Sequence, residues 1–465
     1  MKVVVTPHEF YNTPSSELLY SNFIELGYGL QVEPMWAEML FNRSFEPFFP
    51  YRWINKEWFD LWLDPADPDK GYKTDWSGED WYHSGYEHNP WYAFPCEGKL
   101  VPIDDHSTFF ILTSPVAAVQ IEQVQGGQHG THCLRITNHE TERWVGVAQD
   151  GKYLRTGEQY HFRGSFHVVE GPVSAQVCLF AQGQQETPLD AVSLGEITGD
   201  WETHRAVLKS DTTGWATFCL LIPPQTSLLA DDFSLIPSST LHGWRPDVIR
   251  AVTEVAPKVI RFPGGCFASF YNWREAIGPY ENRMPLPSYF WGGMNYNDVG
   301  VAELATFSKA VGAQMMYCVN VYHPLKQDYD HYFNEKENVP HGRNLIRFTS
   351  IEQGAQDAAD LVAYCNLPVG SHPMADLRAS HGYAEPFGIR FWELDNEVTR
   401  WFEPEEYARA AVVYSRAMKA IDPSIQIGLS SYGERPGCKE MGEALPEMLA
   451  ICGKDVDFLA DRRVC

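Results

Sequence analysis

The 465-residue chain has no apolar run of the roughly 18–20 residues that a bilayer-spanning helix needs. Its first residues, MKVVVTPHEFYN, offer a short apolar patch that soon turns polar, which does not read as a signal peptide. The cytoplasm is therefore the expected compartment, with secretion the alternative if translation starts elsewhere. The ten cysteines form no CxxC pair, so neither a zinc site nor a disulfide framework is indicated. They read as buried thiols of a reducing compartment. No GxGxxG and no P-loop follows an apolar strand-like run, which argues against a nucleotide-binding fold. Basic residues are outnumbered 36 to 61, and the resulting net charge of −25 repels nucleic acid and anionic lipid. Neither nucleic acid nor membrane is expected as a partner.

Aromatic side chains, by contrast, are abundant. Fifteen Trp and 23 Tyr suit either stacking on sugar rings or ordinary core packing. Residues 1–50 hold one strand-like run and then MWAEMLFNRSFE, whose apolar spacing predicts a helix. Residues 51–105 are rich in Trp, Asp, Pro and Gly without sustained periodicity, and predict a long irregular connection. Over 106–237, eight short runs with partial alternation and glycine-containing breaks predict an all-β, two-sheet sandwich of jelly-roll type. Such a module serves equally as a carbohydrate binder or as a spacer. From 238 to 465, strand and helix patterns alternate, which predicts a parallel sheet. Polar residues gather where its strands end: PGG at 263–265, the Asn320 region, and Asp395-Asn396-Glu397. That is where a (β/α)8 TIM-type barrel builds its site. Counting the strand near residue 25, about six of the eight barrel strands can be found.

Two stretches invite chemistry. In RFPGGCF, Arg261 reads as buried and so needs a carboxylate, with Glu393 or Glu25 as candidates. Pro263 keeps its predecessor extended, and Gly264-Gly265 permit positive φ and close backbone approach to a ligand. A tight turn with a structural ion pair explains the same residues. In WELDNE, Glu397 falls where the strand opens into its loop, beside Trp392 and Phe391. Partial desolvation there would raise its pKa toward general-acid use. Asn396 offers both donor and acceptor to a sugar hydroxyl. An ordinary loop carboxylate is the plainer alternative.

Four segments in order carry a resemblance: NFIELGYGLQVEPMWAEMLFNRSFE (22–46), RFPGGCFASFYNWREAIGP (261–279), WGGMNYNDVGVAEL (291–304) and FWELDNE (391–397). Together they resemble glycoside hydrolase family 51, the α-L-arabinofuranosidases, in the long form with a β-sandwich inserted after the first barrel strand. The resemblance implies a retaining hydrolase with Glu397 as acid/base at the end of strand 4. It further implies that Asn396 holds the sugar 2-hydroxyl, that Glu25 binds arabinose hydroxyls, that Arg261 and Cys266 line the subsite of the cleaved sugar, and that Trp291 walls the entrance. Glu393 and Asp395 then read as supports for Glu397. Many members carry Gly before the Asn-Glu pair, so Asp395 departs from the pattern. The usual strand-6 histidine is not evident either, and Arg462 falls near its place. The nucleophile expected on strand 7 has no counterpart within 465 residues, so the chain reads as truncated at its C-terminus. No metal or organic cofactor is implied. The implied partner is an arabinose-containing glycan, and the resemblance also implies homo-oligomers. Two other readings stand beside it: a non-catalytic carbohydrate-binding protein, and a related hydrolase of other specificity.

Overall fold

A computed structural model of the chain describes residues 21–26, 32, 35–46, 91–96, 101–102, 111–113, 119–288, 294–328, 345–430 and 441–460. The expected Trp291 and Arg462 lie outside these residues, as does most of the 51–105 connection. Among the described residues no helix is long and apolar enough to cross a membrane.

Six strands form one parallel sheet in chain order: β1 (Asn22–Phe23), β2 (Val259–Phe262), β3 (Gln314–Val319), β4 (Phe391–Leu394), β5 (Gln426–Ser430) and β6 (Phe458–Ala460). The sheet curls into half a barrel. Between its strands run helices α1 (Pro246–Val255), α2 (Val301–Val311), α3 (Ile351–Asn366), α4 (Pro373–Ser380), α5 (Pro404–Ile421) and α6 (Met441–Cys452). Several begin or end on local chemistry. Pro246 and Pro404 occupy first-turn positions where no N–H is needed. Ser350 caps α3 by accepting from Gln353 N at 3.3 Å. Gly312, at φ 75°, ends α2 in the left-handed conformation that glycine adopts without strain. All four residues of β2 and of β4 are buried, as expected for central parallel strands covered on both faces. Gly428 is required in β5, because a Cβ there would lie 2.2 Å from the Phe458 ring of β6.

Residues 91–237 supply two further sheets, one of seven strands and one of five, antiparallel except where Trp91–Phe94 runs parallel to Ile111–Thr113. They pack face to face: the Phe162 ring from one stacks on Phe218 from the other, with centroids 5.3 Å apart. The eight strands expected from alternation are present, and Asp190–Ile197 joins them.

Two expectations are corrected. The segment read as irregular contains the strand Trp91–Phe94, fully buried and hydrogen-bonded to Val145–Leu154. Trp91 has no solvent exposure and donates its indole N–H to Phe41 O at 2.8 Å. Burying such a ring contributes about 1.5–3 kcal/mol, which fixes the strand without any periodicity to announce it. The helix expected over 35–46 is absent. Glu38 takes the N–H of Leu40 at 3.0 Å and of Leu235 at 2.8 Å, and Ala37 N donates to Gly243 O at 2.9 Å. Asn42 and Phe45 then adopt positive φ, 44° and 52°. The apolar spacing has another cause: Trp36 packs into the core of the parallel-sheet part, while Leu40 and Phe45 pack into the core between the antiparallel sheets. One extended segment thus seals two cores, and the contact is reinforced by Arg205–Glu281 at 2.8 Å and by Arg43–Asp298.

Candidate active site

The polar cluster lies where β1, β2, β4 and β5 end. Arg261 on β2 is paired in register with Met316 on β3, so β3 separates it from β4. Its guanidinium nevertheless reaches Glu393 on β4 through two hydrogen bonds, Nε to Oε2 and Nη2 to Oε1, the latter at 3.0 Å. The carboxylate that Arg261 demanded is therefore Glu393 and not Glu25. Glu393 is only 1% exposed, so the pair is held by geometry in a place where a lone charge would be costly. Cys318 on the intervening strand donates its thiol to Glu393 Oε2 at 3.1 Å. Burial alone would lower the Arg261 pKa, but the hydrogen-bonded Glu393 carboxylate, with Glu25 behind it, outweighs burial and raises it.

From Arg261 a chain of contacts runs outward. Nη2 donates to Asn396 Oδ1 at 3.0 Å, Asn396 Nδ2 donates to Cys266 Sγ at 3.4 Å, and the Cys266 thiol donates to Glu397 Oε2 at 3.3 Å. Cys266 opens a short 3-10 turn, Cys266–Phe270, immediately after β2. Glu397 is half-buried, and its N–H donates to Ser430 Oγ at the end of β5, at 3.1 Å. Among the described residues these contacts use one of the two amide hydrogens of Asn396 and one of its two carbonyl lone pairs. Arg261 Nη1 is buried and has no hydrogen-bond partner among the described residues. A buried donor left open is costly unless a ligand or water meets it.

Glu25, two residues beyond β1, is buried and accepts from Phe267 N at 3.2 Å. The glycines of PGG face it. Gly264 has φ 122°, and a Cβ there would lie 2.3 Å from Glu25 Cα and Cβ; a Cβ on Gly265 would lie 2.9 Å from Glu25 Oε2. The close approach that these glycines allow is thus to Glu25, which they seat, where the sequence suggested a ligand.

Five of the six expected site residues are described: Glu25, Arg261, Cys266, Asn396 and Glu397. Arg261, Cys266, Asn396 and Glu397 form one hydrogen-bonded chain, and Glu25 binds the turn that carries Cys266. The sixth, Trp291, lies outside the described residues. Sequence reasoning missed Lys326, Ser269 and Ser430. Lys326 is wholly buried against Asp395, and Ser269 donates to Asp395 Oδ1 at 2.6 Å. A lysine in the apolar run YHPLK was the available signal, since a buried ammonium requires a partner. Among the described residues no group of three or more His, Cys, Asp or Glu is placed to hold a metal ion.

Carboxylates, an amide and a thiol are thus gathered at the ends of parallel strands, the edge where a (β/α) fold places its functional groups. Residues 251–448 match the family model described as the alpha-L-arabinofuranosidase 1 domain. An intracellular exo-alpha-(1->5)-L-arabinofuranosidase of Halalkalibacterium halodurans is 33% identical over 196 residues, which is 41% of this chain and 33% of that protein. The enzyme of the same name from Acetivibrio thermocellus is 35% identical over 190 residues, 40% of this chain and 32% of that one. The matched stretch thus spans about a third of the curated relatives' length. An arabinose-bound family 51 α-L-arabinofuranosidase superposes with a TM-score of 0.62 over 90% of this chain and 60% of its own, at 17% identity, which speaks to the fold alone. The chain resembles the family 51 α-L-arabinofuranosidases, as its motifs implied.

Proposed function

We propose that the protein is a retaining glycoside hydrolase that releases non-reducing terminal α-L-arabinofuranosyl residues from arabinose-containing polysaccharides or oligosaccharides. The observation that carries this reading is the contact chain Arg261–Asn396–Cys266–Glu397 with Glu25 alongside. Glu397 is the acid/base: it protonates the leaving oxygen as the glycosidic bond breaks, then takes a proton from the water that frees the sugar. Asn396 and the open Nη1 of Arg261 meet sugar oxygens, and Glu25 accepts from sugar hydroxyls. Retention needs a second carboxylate roughly 5–5.5 Å from Glu397 as nucleophile. We place it on a later strand of a complete (β/α)8 barrel, of which the curled sheet is the first part. The paired antiparallel sheets are read as an inserted jelly-roll module of about residues 106–237, extended by the strand Trp91–Phe94. The names of the relatives, intracellular exo-acting enzymes, support a cytoplasmic enzyme that works from chain ends. Trp291 is assigned to the entrance wall.

The test uses the complete protein with 4-nitrophenyl α-L-arabinofuranoside and arabino-oligosaccharides, following the first-formed anomer by NMR. Release of arabinose as the α-anomer supports the reading. Sugar binding without turnover would replace it with a non-catalytic binder, and turnover of another glycoside in preference to these would reassign the specificity. Within the same assay, Glu25→Ala is expected to lower kcat/KM by an amount corresponding to about 1.5–3 kcal/mol, the worth of hydrogen bonds to a charged group. An unchanged kcat/KM would remove Glu25 from the binding machinery.

A further inference from the structure

Two non-glycine residues flank Asn396 in the left-handed region, Asp395 at φ 63° and Glu397 at φ 47°. Such backbone is strained and persists only where the surroundings over-determine it. The surroundings here converge on one carboxylate. Asp395 Oδ1 accepts from Ser269 Oγ at 2.6 Å and from Asn396 N at 2.8 Å; Oδ2 accepts from Val321 N at 3.0 Å and from the Lys326 ammonium. Asp395 N in turn donates to Val319 O at 2.8 Å. Ser269 belongs to the turn after β2 that also carries Cys266, while Val321 lies in the loop after β3 and Lys326 in the helical turn that follows it. The segments after β2 and β3 are thereby both tied to the turn after β4, at the residue preceding the Asn396–Glu397 pair.

The Lys326 ammonium is saturated. It donates to Val321 O at 2.8 Å and to Asn320 Oδ1 at 3.2 Å besides Asp395, which uses all three of its hydrogens. Neither partner has any solvent exposure. The pair therefore has no contact to offer a substrate, and its effect on chemistry must pass through other residues.

We propose that the buried Lys326–Asp395 pair is a positioning device for Asn396 and Glu397, holding the left-handed turn at the end of β4 in register with the Cys266 turn. The inference rests on the function proposed above and assigns two further residues to that site. Without the pair, the 3.3 Å contact between Cys266 Sγ and Glu397 Oε2 loses its common anchor.

The test compares wild type with Lys326→Met/Asp395→Gly, which leaves no unpaired buried charge and lets glycine take the positive φ, and with Lys326→Met/Asp395→Asn, which restores the hydrogen-bonding oxygen. Aryl arabinofuranosides with good and poor leaving groups separate positioning of the acid from mere stability. The glycine variant is expected to lose roughly 10- to 100-fold in kcat on the poor leaving group, beyond any loss on the good one, because a displacement of about 1 Å costs that much. KM should stay within about threefold, since uniform binding is retained. The asparagine variant should recover most of the difference. A wild-type dependence on the leaving group in the glycine variant overturns the proposal. A second readout needs no activity: alkylation of Cys266 by iodoacetamide, followed by peptide mass spectrometry, with buried Cys452 as the control for global opening. Cys266 should react about fivefold faster in the glycine variant while Cys452 does not change, since thiol reactivity follows exposure and local charge. Equal Cys266 rates overturn the proposal. If the wild type cleaves no arabinofuranoside, the proposed function fails and alkylation alone decides. Should the paired variants not fold, Ser269→Ala, which removes a single tether, must accelerate Cys266 in the same direction; no change sinks the idea.

Discussion

Replacing Glu397 with alanine in the complete protein is expected to lower kcat by roughly 10²–10⁴-fold on arabinosides with poor leaving groups, the usual worth of a positioned general acid. An aryl substrate whose leaving group departs without protonation should be far less affected in the first step. Its glycosyl intermediate would then accumulate, because the same carboxylate must activate water in the second step. Azide needs no base, so it should restore turnover on the activated substrate and yield the glycosyl azide. Glu397 already sits at φ 47°, and alanine faces the same backbone strain, so the fold should tolerate the change. Glu397→Gln tests the proton separately, since it keeps the shape and can still accept from the Cys266 thiol. Full activity of either variant on natural arabinosides would move the acid/base elsewhere.

The second large effect is expected on stability. Arg261→Met leaves Glu393 as a buried carboxylate that keeps, among the described residues, only the Cys318 thiol of its present donors. Removing one member of a buried ion pair typically costs about 3–5 kcal/mol, comparable to a large part of a domain's total stability. Denaturant unfolding of the variant should show the loss as a lowered midpoint at constant slope. The double variant Arg261→Met/Glu393→Leu should regain most of it, because an apolar replacement of a buried pair is often neutral. Activity should not return with stability, since Asn396 Oδ1 would lose its guanidinium donor and the open Nη1 proposed to meet the sugar would be gone. Recovery of activity in the double variant would reduce Arg261 to a packing residue.

The parts of this molecule that could be read in advance are those whose physics is local. Helices α3 and α5 announce themselves through apolar spacing and starts marked by Ser350 and Pro404. Arg261 announced a partner because a guanidinium inside an apolar strand cannot be left unpaired, and Glu393 supplied it. Where reading failed, the determining contact lay far away in sequence. The 35–46 segment has helical spacing, yet Glu38 spends its carboxylate on Leu235 and Ser234, about two hundred positions on. Trp91–Phe94 offers no alternation because both of its faces are covered. Asp395 was legible only as a companion of Glu397; that it gathers Ser269, Val321 and Lys326 depends on three loops meeting in space.

The pairing of β1 with β2 has a consequence for the order of folding. Phe23 lies opposite Arg261, a separation of 261 − 23 = 238 residues, and only two residues of β1 take part in the ladder. Closing a flexible loop of that length costs about 5 kcal/mol of chain entropy, more than so short a strand returns. The intervening antiparallel sheets lower that cost when they fold first, since the 35–46 segment bound to Leu235 and Gly243 leaves a much shorter loop to close. Glu25 rides on β1, so it reaches the turn of Cys266 only after this closure. The site carboxylate nearest the start of the chain thus meets the Cys266 turn late, and a ribosome-bound chain holding residues 1–237 carries it before Phe267, which donates to it, has been made.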